Sequence, residues 1–271
     1  MSKFVRGLVL VIAIGVMAFA GYQLGNIAYD YVKDEAEYEE LRAIADSPED
    51  ATDEATDGDT DVAEDQTVNP DAEFSLSTYL RALLGKAKPG GLATSGNQSS
   101  SSLAKAQKRK INFKKLQKKN KEIIAWIYIP NTRIDYPVTR HSNNKYYLKR
   151  NAVKKKSSAG SIFLDSKAKK DLSGLDSPIY GHHMRNKSMF GSLNSFRTSK
   201  FRKKHQYVYV YTPKATKKYK VSTQFTTKKK KLSAYKGKVR VVTLVTCEYT
   251  AKNAHYVLRA KLVSSKKPGK K

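Results

Sequence analysis

The sequence predicts an all-β domain of about 160 residues, from Ile111 to the carboxy terminus, carried behind an apolar helix and a linker. Three observations predict it. Short apolar runs rich in β-branched and aromatic residues follow one another at close spacing from Trp126 to Val263, with few helical patterns between them. The most apolar of these, Val239-Arg-Val-Val-Thr-Leu-Val-Thr246, has the character of a buried strand and ends on Cys247, the only cysteine in the chain. The first 110 residues show no such pattern: residues 7–29 are uncharged, and residues 30–110 are acidic and then Ser/Gly-rich.

Lys3 and Arg6 precede the 23 uncharged residues Gly7–Tyr29, close to the ~20 that cross a bilayer as a helix. Bases before this stretch, with Asp30, Asp34 and Glu35 after it, leave residues 1–6 as a cytoplasmic tail and place everything beyond Tyr29 outside. A cleaved signal peptide is the alternative, with Ala18 and Ala20 imitating a cleavage site, but such segments have shorter apolar cores. Either way the protein leaves the cytoplasm.

Residues 30–110 read as a linker. Between Asp34 and Glu73 lie 17 of the 24 acids and one base, Arg42. The stretch Asp53–Asp61 has almost no large apolar groups with which to offset chain entropy. Lys88-Pro-Gly-Gly91 and Ser95–Ser102 have a flexible-linker composition. Phe74–Leu84 has the pattern of a short amphipathic helix. The acidic half either folds back onto the basic domain or stands off as a self-repelling stalk.

In the domain, Phe113, Leu116, Asn120, Ile123 and Ile124 fall near helical spacing. Trp126–Ile129 then alternates as a strand, Pro130-Asn131 turns it, and Ile134–Val138 returns, with Pro137 marking an edge strand. Tyr146–Leu148, Ser161–Leu164 and Ser177–Tyr180 read as short extended pieces, and Met189–Phe196 as one or two helical turns with Phe190, Leu193 and Phe196 inward. Tyr207–Tyr211, Lys218–Ser222, Val239–Thr246 and His255–Val263 complete a barrel or sandwich large enough for one core.

The charge is segregated. The chain carries +28 overall, but from Ile111 onward 41 Lys and Arg against six acids leave +35. Such a surface favours polyanions, nucleic acid or an anionic cell envelope among them. The sequence has no zinc-ligand spacing, no Gly-rich RNA-binding signature and no basic heptads, so no nucleic-acid partner is expected. One cysteine excludes an intramolecular disulfide framework, and one Cys with scattered His lacks the spacing of a metal site, so neither metal nor cofactor is expected.

Cys247 stands at the end of a core strand, before the polar loop Glu248–Asn253, where a side chain is rigidly held yet reachable. A buried structural thiol is the common alternative. A nucleophilic thiol needs a neighbouring base, usually imidazole. Of the five histidines, His182 and His183 follow Gly181 at a strand end, and His255 opens the last strand, eight residues after Cys247. His141 and His205 lie in lysine-rich surroundings and read as solvated.

These residues carry a resemblance. Thr243-Leu-Val-Thr-Cys247 resembles the active-site signature of the sortases, transpeptidases that attach exported proteins to the Gram-positive cell wall. Trp126–Thr132 with Ile134–Val138, Gly160-Ser-Ile-Phe-Leu-Asp165, and Tyr180-Gly-His-His-Met184 followed by Met189-Phe190 are similar to class B members in particular, and the likeness spans nearly all of 111–263. It implies a closed eight-stranded barrel in which Cys247 and His182 face each other across a groove. Cys247 would attack a Thr–Xaa bond in a carboxy-terminal sorting motif of an exported protein, forming an acyl-thioester. His182, which directly follows Gly181 as the family's histidine does, would protonate the leaving amine and deprotonate an incoming one from peptidoglycan or pilin.

Two positions depart from the family pattern. The arginine that opens the last strand aligns with His255, while Arg259 lies on the same face but about 13 Å further along at ~3.3 Å per residue. The segment Phe225–Lys238 is short and lysine-rich where class B members carry a long helical insertion. Two other functions compete: a non-catalytic binder of wall teichoic acid, which the lysines would suit, and another envelope Cys-His peptidase, for which no motif is found.

Overall fold

The computed structural model describes residues 3–48, 99–228, 235–247 and 254–267. The amphipathic pattern Phe74–Leu84, most of the acidic stretch and the loop Glu248–Asn253 lie outside the described residues.

Eight strands among the described residues close into a barrel: β1 (Ile123–Tyr128), β2 (Asp135–Thr139), β3 (Ile162–Leu164), β4 (Asp176–Tyr180), β5 (Tyr207–Thr212), β6 (Ala215–Thr227), β7 (Val241–Cys247) and β8 (His255–Lys266). Their order around the barrel is β1-β2-β3-β4-β7-β8-β6-β5. The β2–β3 and β4–β7 pairs are parallel and the others antiparallel. The interior is filled by alternate residues of the strands, including Ile127, Val138, Val210, Leu244 and Leu258, all at most 2% exposed. The turn Gly191–Arg197 buries Phe196 and Leu193 against this core, with Phe190 just before it, as their spacing predicts.

Several local expectations are corrected. The helical pattern from Phe113 stops at Lys119, because Asn120 ends it: its N–H bonds Leu116 O and its side chain accepts from Glu122 N. Ile123 and Ile124 therefore open β1 instead, as β-branched residues favour. β2 is not an edge strand. Short β3 covers only Val138 and Thr139, so Pro137 lies beyond that ladder and its missing N–H leaves no bond unmade there. Tyr146–Leu148 is a 3-10 turn, begun by the Asn143 side chain accepting from Lys145 N and Tyr146 N.

The largest difference lies in the amino-terminal part. Helix α1 runs unbroken from Lys3 to Asp46, so residues 30–46, expected in the linker, are helical. Within it Val5–Gln23 is long and apolar enough to cross a membrane, with a mean hydropathy of 2.0 and none of it buried. Beyond, Asp34, Tyr38, Leu41 and Ala45 recur at spacings of four, three and four on one buried face. That face packs on β2 and on the short helix α3 (Phe113–Lys119). The backbone N–H of Asn112 donates to Ala45 O at 2.9 Å, and Arg109 bridges Asp46 (2.8 Å) and Asp135 (2.7 Å). The Ser-rich end of the expected linker is likewise helical, as α2 (Ser100–Lys108), capped by the Ser99 hydroxyl.

Truncating the buried face should expose the docking energy. Leu41→Ala is expected to cost ~2–4 kcal/mol, read as a lower urea midpoint for the barrel. An unchanged midpoint would mean that α1 adds nothing to the folded domain.

Candidate active site

The site is built by two parallel strands that end together. β4 and β7 run side by side from Asp176↔Val241 to Tyr180↔Val245, and Gly181 N extends the ladder to Val245 O at 3.1 Å. His182 and Cys247 each lie two residues beyond the Tyr180↔Val245 pair, so both follow directly on the end of the paired stretch. Ile179, Leu244 and Leu258 belong to the barrel core, so by alternation Tyr180, Val245 and Val257 lie on the opposite, outer face. On the far side of β7, Cys247 is directly opposite His255, and His255 is opposite Thr227 of β6.

Gly181 permits this close approach. A Cβ there would stand 2.4 Å from Ile162 Cδ1 and 2.8 Å from the Phe190 ring. After it the chain is held in a short hairpin, Phe190 N donating to His182 O at 3.0 Å and His183 bridging Met189. His183 thus falls on the other face of the hairpin from His182, as alternation predicts.

The His182 ring is fixed by the loop that precedes β3. Its Nε2 lies 2.7 Å from Leu148 O. A carbonyl only accepts, so Nε2 carries the proton and Nδ1 is left to exchange one. Gly160, with φ of +58°, brings the loop against the imidazole: a Cβ there would meet Leu148 O at 2.8 Å and His182 Cδ2 at 2.9 Å. The far end of the loop is anchored by Glu122. Its carboxylate accepts from the Tyr147 hydroxyl (2.6 Å) and lies 2.9 Å from His141 Nδ1. Burial alone would raise the Glu122 pKa, but these hydrogen bonds, with Lys154 nearby, hold it below the ordinary value.

His141 is therefore not solvated. It stacks on Tyr146 at 4.0 Å and belongs to this anchor. His205 is buried, packed 4.0 Å from the Phe201 ring and donating to Pro130 O; burial lowers its pKa. Both sit among aromatic rings that the lysine-rich sequence around them obscures.

Arg259 is opposite Thr243, four residues before Cys247, and its Nε donates to Thr243 Oγ1 at 3.3 Å. Thr243 in turn donates to Asp176 Oδ1 at 2.7 Å. Burial raises the Asp176 pKa, against the hydrogen bond from Thr243 and the charge of Arg259. The guanidinium also lies over the Phe225 and Tyr235 rings. The register thus sets Cys247 opposite His255, ends the β4–β7 pairing two residues before His182 and Cys247, and leaves Arg259 further down the sheet. Phe225–Thr227 continues β6 as strand to the level of His255, so this part of the short segment forms a wall of the same face. Sequence reasoning missed Leu148, which acts through a backbone carbonyl, and Gly160, whose left-handed φ leaves only the glycine itself as a signal.

A sortase-domain family model matches residues 127–263, half of the chain. The sortase B of Listeria monocytogenes is 32% identical over 179 residues, which are 55% of this chain and 73% of that protein. The chain belongs to the sortase family, class B. A Bacillus anthracis sortase B structure covers 69% of this sortase and 97% of its own chain at a TM-score of 0.53 and 26% identity. A Staphylococcus aureus sortase B–substrate complex matches at 0.52 over 56% of this chain and 84% of its own; at 24% identity it shows the fold alone. The closed barrel and the class that the motifs imply are those found, and sortases are cysteine transpeptidases.

Two outcomes follow for the loop that backs His182. Gly160→Ala is expected to lose ~1–3 kcal/mol through its left-handed φ and to push the loop off the imidazole, seen as lower thermal stability together with lower turnover. Because the folded Glu122 pKa is depressed below 4.5, its contribution is present above that value and lost as pH falls through the folded pKa. Unfolding midpoints measured from pH about 5 to about 3 should fall less steeply in Glu122→Gln than in the wild type.

Proposed function

We propose that this sortase is a membrane-anchored transpeptidase whose nucleophile is Cys247 and whose proton carrier is His182. Residues 7–29 cross the membrane, residues 1–6 are cytoplasmic and the barrel stands outside. The observation that carries the reading is the β4–β7 register, which aligns the ends of the two strands bearing Cys247 and His182. The substrate is an exported protein with a carboxy-terminal sorting motif, in keeping with the substrate complex of the S. aureus relative.

Nδ1 of His182 takes the proton of the Cys247 thiol, and the resulting thiolate adds to the carbonyl carbon of the Thr–Xaa bond. The C–N bond then breaks, and the leaving amine takes a proton from Nδ1 of His182, while Nε2 keeps its bond to Leu148 O. This leaves an acyl-thioester. An incoming amine of peptidoglycan or pilin adds to the thioester carbon and gives its proton to His182. The C–S bond breaks, and Cys247 is released. His255, opposite Cys247 in the register, supplies a donor to the developing oxyanion where the family has arginine. Imidazolium offers single hydrogen bonds and no planar fork, so it is the weaker stabiliser. Arg259, about 13 Å down the strand, does not reach the reacting carbon.

Cys247→Ala is expected to abolish thioester formation and product, whereas a wall-binding protein would tolerate it. His182→Ala should lower kcat/KM by ~10²–10⁴. At the third position, His255→Ala should slow transfer and His255→Arg should restore or exceed the native rate. Wild-type rates in both variants would remove His255 from the site. Modification of the folded protein by methanethiosulfonate reagents tests access to the thiol, and full protection would argue for a structural cysteine.

A further inference from the structure

Helix α1 reaches the loop that backs His182 at several points. The Ser157 hydroxyl donates to Asp34 Oδ2 at 2.7 Å, and Glu37 accepts from Lys155 Nζ at 2.7 Å and from Asn151 Nδ2. One turn on, the Tyr38 hydroxyl donates to Gly160 O at 2.9 Å, with Ser161 Oγ at 3.4 Å. Gly160 is the residue packed against both Leu148 O and the His182 ring. Tyr38 therefore grips the backbone that abuts the imidazole and its hydrogen-bond acceptor.

The same side chain reaches the other backbone segment bracketing His182. Its ring stands edge-on to Tyr136, with centroids 5.3 Å apart. The Tyr136 hydroxyl accepts from Met189 N at 3.2 Å, and Met189 is the bridge partner of His183 in the hairpin whose Phe190 N holds His182 O. Tyr38 is 1% exposed, so no water competes for its hydroxyl. The loop from Tyr147 to Ser161 is thus clasped between α1 on one side and the Glu122 anchor on the other.

We infer that Tyr38 is a positioning residue for the transfer reaction: through Gly160 and Leu148 it holds the His182 imidazole in the orientation that leaves Nδ1 facing the outer groove. The segment that emerges from the apolar stretch of α1 is then a working part of the catalytic domain, not a tether to it. This rests on the reading of His182 as proton carrier. With its clasp gone the loop is free to draw away from the ring, and once the 2.7 Å hydrogen bond opens beyond the ~3.2 Å limit of an ordinary one the imidazole is free to rotate.

The test uses the full chain in detergent micelles, labelled with ¹⁵N-histidine. Tyr38→Phe removes one hydroxyl and keeps the ring. The wild type should show neutral His182 as the Nε2–H tautomer, and Tyr38→Phe should show a mixture. Its kcat should fall about tenfold with KM within about twofold, and the thermal midpoint should move little. Ser161→Ala, which removes only the longer contact, should leave all three readings at wild type. Asp34→Asn, which loosens the same loop at Ser157, should shift the tautomer in the same direction by less. A pure Nε2–H tautomer in Tyr38→Phe overturns the proposal, and does so even where stability drops, since that combination marks a merely structural tyrosine. The tautomer is read without substrate. Absence of transpeptidation in the wild type would therefore defeat the functional reading while leaving this inference to be decided on its own.

Discussion

The site depends on one ladder, the parallel pairing of β4 with β7. Parallel neighbours have no hairpin to fix their register, so it must be set by what each strand buries. Here Ile179 and Leu244 enter the core side by side, and Tyr180 and Val245 face outward together. A slip of β7 by one residue would turn Leu244 outward and break the match between the ends of the two strands. The cooperative burial of the barrel therefore enforces the alignment of the two strand ends. The side-by-side placement of the two strand ends is obtained as a by-product of packing.

The imidazole needs more than a strand end, because His182 already lies past the last paired residue of β4. Its orientation comes from a loop with little regular structure, and that loop is held by polar contacts at both ends. Glu122, Tyr147 and His141 secure one end, and Asp34, Glu37 and Tyr38 of α1 secure the other. The acids of α1 lie against Lys155 and Arg109, so the segregation of charge along the chain has a local use: it draws the helix onto the barrel. Each exposed pair adds little. The buried face of Tyr38, Leu41 and Ala45 does most of the holding.

Much of this was legible in the sequence. The strands announced themselves by period and by β-branched content, and the ordered motifs around Trp126, Gly160, Gly181 and Cys247 carried the family. What escaped had physical reasons. Residues 30–46 read as linker because their acids dominate the composition, yet the stripe at 34, 38, 41 and 45 was present among them. Pro137 suggested an edge, which holds only where a neighbouring strand extends past it, and β3 does not. His205 looked solvated because its neighbours in sequence are lysines, while its neighbours in space are Phe196 and Phe201. Leu148 could not have been found, since its contribution is a carbonyl that every residue has.

The alignment of His182 with Cys247 can be measured without substrate or activity. In His182→Cys the protein holds two thiols, and if the chain beyond β4 stays beside the end of β7 their Cα atoms fall within the ~4.4–6.8 Å that a disulfide spans. Mild oxidation followed by intact mass spectrometry should then show a monomer with an internal bridge from the introduced thiol to Cys247 and no free thiol. A monomer that retains two free thiols, or one that couples only between molecules, would contradict the shared groove on which the account rests.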